Sequence, residues 1–347
     1  MVQRFDQAKL EVTGQPLAVT GGLQHATASA SAMFSVSADG TVLSYLEAIS
    51  TKAELAWFDR TGRKIAPILS GRDYIQPRLS PDGKLLATVV PDPDSGNRDI
   101  WLKNLITGEL TRFTSNPAND WYPVWSPDGA FLAFASDRTP HSSIYRKPVH
   151  GNDQESLLVS SDENVFPLDY ARDGSGLLYY QDDSAQHTIG IWLKPLTSGS
   201  SSREVARNSF DQRDGRLAPD GKFVSYVSNE SGTDEVYVKP QDRSTKVRVS
   251  MAGGEHPEWS QDGRELFYVN AAGELMAAAV DKAGGGEIAN QHALFRACSG
   301  AHSLRGRENP YDVSADGQRF VFACTTSGDK EPAITVQIGW QRMLKLP

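Results

Sequence analysis

Five charged residues occupy one position of a recurring unit in this 347-residue chain: Arg78, Asp169, Arg216, Glu258 and Asp312 each stand four residues before an Asp-Gly pair. Brought together, such a set can neutralise itself as a plug, because buried charges of mixed sign need partners. Alternatively it can hold a small polar ligand or an ion. The plug is the expectation, the ligand site the alternative. The following residue in each unit is apolar (Leu79, Tyr170, Leu217, Trp259, Val313), and Ser35 and Val124 take the polar position in the two remaining units. On a strand, neighbouring residues point opposite ways. The apolar set then packs between units while the polar set leans toward a shared central channel.

Other candidates carry less chemistry. His256-Pro257-Glu258, beside Glu255, is the one compact His/carboxylate cluster. A metal would need two more ligands from elsewhere in the fold, so no metal site and no cofactor are expected. The Asp of each Asp-Gly pair reads as a turn residue bonding its own backbone. The recurrent Trp57, Trp101, Tyr145, Trp192 and Tyr237 read as packing residues. No Gly-x-Ser-x-Gly elbow and no kinase loop motif occurs, so no catalytic residue is expected.

The elements that must position these residues repeat. Asp-Gly pairs begin at Asp39, Asp82, Asp128, Asp173, Asp220, Asp262 and Asp316. A spacing of about 45 residues is the length of one four-stranded propeller blade. Each pair is preceded by an apolar residue plus Ser or Ala and followed by a strand-like run such as Phe131-Leu132-Ala133-Phe134. Gly accepts positive φ and Asp tolerates it, so each pair is a tight hairpin joining the inner strand to the second. Ile144-Tyr145-Arg146-Lys147-Pro148 and Val236-Tyr237-Val238-Lys239-Pro240 nearly repeat one another and predict a third strand. The reading is all-β: one closed propeller over 1–347 with seven four-stranded blades, six being the alternative. Ile334 to Ile338 is expected as the third strand of the last blade. An N-terminal strand, Leu10 to Val12 or Leu17 to Val19, would close that blade and remove its bare edge.

Bulk properties narrow the function classes. The net charge of −8 argues against a nucleic-acid partner, which would require clustered Lys and Arg. No apolar run reaches the length of a membrane span, so no membrane insertion by this chain is expected. The first residues, Met1-Val-Gln-Arg-Phe-Asp-Gln, do not read as a signal peptide. Two cysteines, Cys298 and Cys324, are expected as unpaired buried thiols, a single bridge being the alternative.

Trp125-Ser126-Pro127-Asp128-Gly129 with the run that follows resembles the WD40-like (PD40) repeat of TolB-related propellers. Arg4-Phe5-Asp6 and Leu10 through Pro16 are similar to the segment that precedes the C-terminal propeller of bacterial serine/threonine protein kinases. Trp57-Phe58-Asp59-Arg60-Thr61-Gly62 is similar to part of the same family, and Tyr311 through Phe320 to its end. The resemblance implies a non-catalytic sensor or interaction domain of a signalling protein. It would be monomeric, and extracytoplasmic if part of a membrane-bound kinase, otherwise cytoplasmic. Its partner would be a protein or a small polar ligand. The alternatives are a periplasmic small-ligand binder and a propeller enzyme working at the channel mouth. Loops entering the inner strands hold Tyr74, Trp121, Tyr122, Arg213, His256 and Asn309, a mixture suited to an exposed partner-binding face. The long last insertion, from about Cys298 to Asn309, is expected on the same face.

Overall fold

A computed structural model of the chain describes residues 2–6, 9–17, 25–26, 31–32, 34–46, 53–92, 95–151, 154–197, 199–281, 286–296, 298, 309–325 and 334–341. They fall into two compact units, 1–51 with 327–347 and 52–326, where one domain was expected.

The first unit holds strands β1 (Val2–Asp6), β2 (Glu11–Leu17), β3 (His25–Ala26), β4 (Ser31–Ala32), β5 (Phe34–Val36) and β6 (Val42–Leu46). β1 pairs with β2 and β3 with β4. The Asp39 hairpin, β5–β6, gains a third strand from the far end of the chain, β31 (Ile334–Ile338).

The second unit contains six four-stranded antiparallel sheets. Its first two strands are β7 (Ala53–Asp59) and β8 (Lys64–Arg72). Next come β9 (Ile75–Leu79), β10 (Leu85–Pro91), β11 (Arg98–Asn104) and β12 (Leu110–Arg112), forming one sheet. β13 (Asp120–Trp125), β14 (Phe131–Ser136), β15 (Ser143–Pro148) and β16 (Ser156–Val159) form another. So do β17 (Val165–Tyr170), β18 (Gly176–Asp183), β19 (Thr188–Pro195) and β20 (Arg203–Ala206). β21 (Gln212–Leu217), β22 (Phe223–Ser228), β23 (Glu235–Pro240) and β24 (Val247–Arg248) follow. The fifth sheet is β25 (Gly254–Trp259), β26 (Glu265–Asn270), β27 (Glu274–Asp281) and β28 (Glu287–Arg296). The sixth joins β29 (Tyr311–Val313) and β30 (Arg319–Thr325) to β7 and β8. Inner strands lie side by side in the order β9, β13, β17, β21, β25, β29, and β29 lies against β9.

Local chemistry explains the hairpins. At all seven Asp-Gly pairs the Asp carboxylate accepts the N–H two residues on, from Thr41, Lys84, Ala130, Ser175, Lys222, Arg264 and Gln318. Gly83 sits at φ 68°, in the left-handed region that glycine enters at little cost. In five turns a Ser two residues before the Asp donates to the same carboxylate (Ser37, Ser80, Ser126, Ser260, Ser314). Second strands such as Leu132 to Ser136 are buried on both faces because adjacent sheets cover them. The recurrent aromatics pack in these inter-sheet cores: Tyr237 with Tyr226, and Trp57 and Trp101 beside Leu55 and Leu86.

Three expectations are corrected. The last repeat takes its third and fourth strands from β7 and β8, not from Ile334–Ile338 and an N-terminal strand; β2 pairs with β1 instead. The physical reason is side-chain fit. Seven consecutive residues, Ala53 to Asp59, pair with Thr325 to Arg319, and Ala56 and Phe58 enter a core with Phe267, Phe320 and Phe322. Consequently the Asp39 repeat makes a three-stranded sheet rather than a seventh four-stranded one. Finally, Cys298 and Cys324 form a disulfide beside that phenylalanine cluster, since the end of β28 brings them to a Cα separation of 5.5 Å. Of the insertion between them, residues 299–308 lie outside the described residues.

The bridge closes a loop with a sequence separation of 26. Cys324→Ser is expected to cost about 3 kcal/mol, by freeing that loop in the unfolded chain. Thermal melts of the variant, and of the parent with and without reductant, check this; coincident melting temperatures would contradict it.

Candidate functional site

Bulges on the inner strands set the site's geometry. Pairing shifts register between β9 and β10 at Ala87/Val89, and likewise at Trp121/Val124, Pro167/Asp169, Arg213/Arg216 and Glu255/Glu258. In four strands the residue at the bulge is left-handed although it is not glycine: Gln76, Tyr122, Asp214 and His256, at φ 53–56°. Pro or Gly follows each one (Pro77, Pro123, Gly215, Pro257). A bulge inserts an extra residue and re-aims the next side chain. Two residues after each left-handed position come Arg78, Val124, Arg216 and Glu258.

Side chains of one sheet then clasp the backbone of the next in a pattern that recurs every three repeats. Leu79 N–H donates to Asp312 Oδ2 at 2.6 Å, and Leu217 N–H to Asp169 Oδ2 at 2.9 Å. Trp125 Nε1 donates to the Arg78 carbonyl at 3.0 Å, and Trp259 Nε1 to the Arg216 carbonyl at 3.4 Å. Tyr122 N–H donates to Gln76 Oε1, and His256 N–H to Asp214 Oδ2. The six inner strands therefore fall into two near-equivalent sets of three. One pair breaks the match: Val124 stands where the other set has Glu258.

Glu258 is the hub. It accepts from Arg78 Nη1 at 2.6 Å, from Arg216 Nε at 2.9 and 3.0 Å, and from Asn309 Nδ2 at 2.5 Å. Arg216 Nη1 also donates to the carbonyls of Leu168 and Gly215. Arg78 stands 3.8 Å from Asp312. Arg78, Asp169, Arg216, Glu258 and Asp312 thus line one cavity of about 750 Å³. Its wall carries Trp57, Leu79, Trp125, Tyr170, Leu217 and Trp259, and Pro81, Pro127 and Pro219 place it on the side of the Asp-Gly turns. Arg78, Val124 and Arg216 also line a much smaller cavity shared with Gln76, Tyr122 and Asn309.

The other candidate residues are placed differently. Tyr74, Arg213 and Asn309 are buried and His256 is wholly so, with its Nδ1 3.1 Å from Asp214. Arg213 is held by Asp214, Asp234 and Glu255. Trp121 and Tyr122 are half-buried against Phe166, with Tyr122 also on Tyr180. These residues do not form an exposed face, because the strand entries turn inward at the bulges. Asn309, expected on that face, is instead a partner of the hub. The bulges themselves were missed, although Pro or Gly just before the polar position in four repeats was a usable signal.

Burial pushes the Asp169 carboxyl up to about 7, and Asp312 likewise. Burial also raises Glu258, against the pull of Arg78. A carboxyl raised in the folded state keeps a proton that the unfolded chain has lost between about pH 4 and pH 7, so stability falls as pH rises through that window. The chain should melt higher at pH 5.5 than at pH 8, and Asp169→Asn with Asp312→Asn should flatten the difference. Equal melting temperatures for the parent at the two pH values would contradict the assignment. Asp214, lowered through His256 and Arg213 against its burial, acts in the opposite sense, in acid.

Comparison with known proteins follows from this geometry. Residues 22–212 match the family model described as the TolB beta propeller domain, PD40. The chain belongs to the TolB β-propeller family. Among curated relatives, an uncharacterized protein of Agrobacterium fabrum, Atu1656, is 26% identical over 55% of this chain and 68% of its own length. The Tol-Pal system protein TolB of Francisella tularensis is 27% identical over 53% of the chain and 43% of its length. The uncharacterized peptidase YuxL of Bacillus subtilis is 29% identical over 53% of the chain, but only 26% of that protein is covered. The match thus spans less than half of the latter two. A solved structure of a putative TolB from Agrobacterium tumefaciens superposes with a TM-score of 0.64, covering 79% of this chain and 98% of that one at 19% identity. That likeness establishes an all-β, propeller-type fold, with no bearing on activity.

Proposed function

We propose that residues 52–326 form a closed six-bladed TolB-type propeller that acts as a non-catalytic binding module. It receives a segment of a partner protein, or a small polar ligand, in the cavity on the Asp-Gly turn side. The observation that carries this reading is the cavity itself: about 750 Å³, aromatic walls and a charged floor, within the size and make-up of ligand sites. Among the described residues, the one His–carboxylate ion pair is His256–Asp214, and His256 is wholly buried, out of reach of a substrate. The resemblance to kinase-borne propellers supports a sensor or interaction role in a bacterial signalling protein. The Cys298–Cys324 bridge fits an oxidising, extracytoplasmic compartment.

The test is selection of peptides from a random displayed library on the parent protein, followed by binding to two variants. Gln261→Trp narrows the cavity, which Gln261 lines, whereas Ile65→Arg alters an exposed outer strand. Selected peptides should lose at least about tenfold in affinity on the first variant and nothing on the second. Peptides indifferent to Gln261→Trp would overturn the reading.

A further inference from the structure

Hydrogen-bond capacity at the cavity floor is unevenly used. A guanidinium carries five N–H donors and no acceptor. Arg78 directs Nη1 to Glu258 and, at 3.4 Å, to the Tyr311 carbonyl. Arg216 directs Nε to Glu258 and Nη1 to two carbonyls. Among the described residues nothing accepts from Arg78 Nε or Nη2, or from Arg216 Nη2. None of these nitrogens is among the enclosed, unpartnered polar atoms, so they open into the space that both residues line. The Arg216 side chain is otherwise only 9% exposed.

The acceptors, by contrast, are committed. Asp312 takes the Leu79 and Val313 N–H groups, and Asp169 takes that of Leu217. Glu258 is shared by two guanidiniums and an amide. The broken symmetry says where the spare donors belong. Glu258 bridges Arg78 and Arg216 from one set of inner strands, and its counterpart in the other set is Val124, beside the same two arginines.

We propose that the floor captures a carboxylate from the ligand on the spare N–H groups of Arg78 and Arg216, at the place a glutamate at position 124 would fill. The ligand class is therefore acidic: a peptide segment bearing an acidic side chain or free C-terminus, or a small sugar acid. This rests on reading the cavity as a binding site. Charge-assisted guanidinium–carboxylate pairs are strong and geometrically selective. The charged groups around the captured carboxylate are Arg78 on β9, Asp169 on β17, Arg216 on β21, Glu258 on β25 and Asp312 on β29. β13 contributes only Val124 at this level, Asp214 and His256 stand behind Glu258, and Arg172, Arg319, Asp82 and Asp316 line the cavity further out. An arriving anion favours the protonated forms of Asp169 and Asp312, so binding takes up a proton and tightens as pH falls.

Calorimetric titration at pH 6.5, in two buffers of different ionisation heat, tests this with four probes. They are N-acetyl-Gly-Trp-Gly with a free C-terminus, its C-terminal amide, the amide of N-acetyl-Gly-Trp-Asp, and digalacturonate. At least one acid should bind at least about tenfold tighter than the neutral amide, with proton uptake; the peptide and sugar arms tell the two sources apart. Val124→Glu should abolish the preference for acid while its melting temperature stays at or above the parent's. Equal binding of acid and amide, or no heat with any probe at millimolar concentration, overturns the inference. Acid-indifferent binding that Gln261→Trp still blocks would sink the carboxylate alone. Binding that ignores Gln261→Trp would sink the cavity reading.

Discussion

Glu258→Ala should lower the stability of the chain by about 3–5 kcal/mol, the cost of breaking a buried ion pair by removing one partner. Glu258 is buried and is the acceptor shared by Arg78, Arg216 and Asn309. Without it, two guanidiniums face each other across a narrow space, with Asp169 and Asp312 already committed to backbone N–H groups. Arg78→Ala should cost less, since Glu258 keeps Arg216 and Asn309. Glu258→Gln should fall between, because it retains an oxygen acceptor and loses only the charge. Chemical denaturation of the three variants gives this order. A loss below about 1 kcal/mol for Glu258→Ala would mean that water screens the floor as at an exposed surface.

A larger effect is expected from the sixth sheet. Removing residues 1–72 deletes β7 and β8 and leaves β30 paired with β29 alone, its other edge bare. Leu55 and Phe58 alone lose about 1.5–3 kcal/mol each of burial, and the core with Phe320 and Phe322 opens to water. A total loss of about 5 kcal/mol or more would exhaust the stability of an ordinary domain. Removing only residues 1–19 takes away the β1–β2 hairpin and leaves every strand of the sixth sheet in place. Circular dichroism should therefore show cooperative melting for the shorter deletion and none for the longer. Cooperative melting of both would mean that β30 does not depend on β7.

What could be read in the sequence divides along the range of the interaction. Each Asp-Gly hairpin is held by hydrogen bonds within five residues, as in Ser80, Asp82, Lys84 and Leu85. Seven of them were visible. The polar position four residues before each Asp follows from strand alternation, and its five charged members do gather at one cavity. Which hairpin joins which outer strand was not visible, because Ala53 and Thr325 meet across most of the chain with no local signal. Trp57 hinted at it, since it shares the third-strand position of Trp101 and Tyr145 and still lies outside the Asp39 sheet. Strand entries looked like exposed loops because polarity was read without the bulges. His256 and Arg213 are polar but inward, His256 lying against Asp214 and the Arg213 charge met by Asp214, Asp234 and Glu255.

The pairing of Ala53 with Thr325 also has a mechanical meaning. The chain enters and leaves the second unit at two residues that face each other on adjacent antiparallel strands. Tension drawn apart between those two points would load the β7–β30 ladder one rung at a time, beginning at Thr325↔Ala53 and ending at Arg319↔Asp59. That is the geometry of a zipper rather than of shear, in which all seven rungs would resist together. The unit should therefore open at low force from its own seam, while the five sheets built from contiguous sequence stay folded.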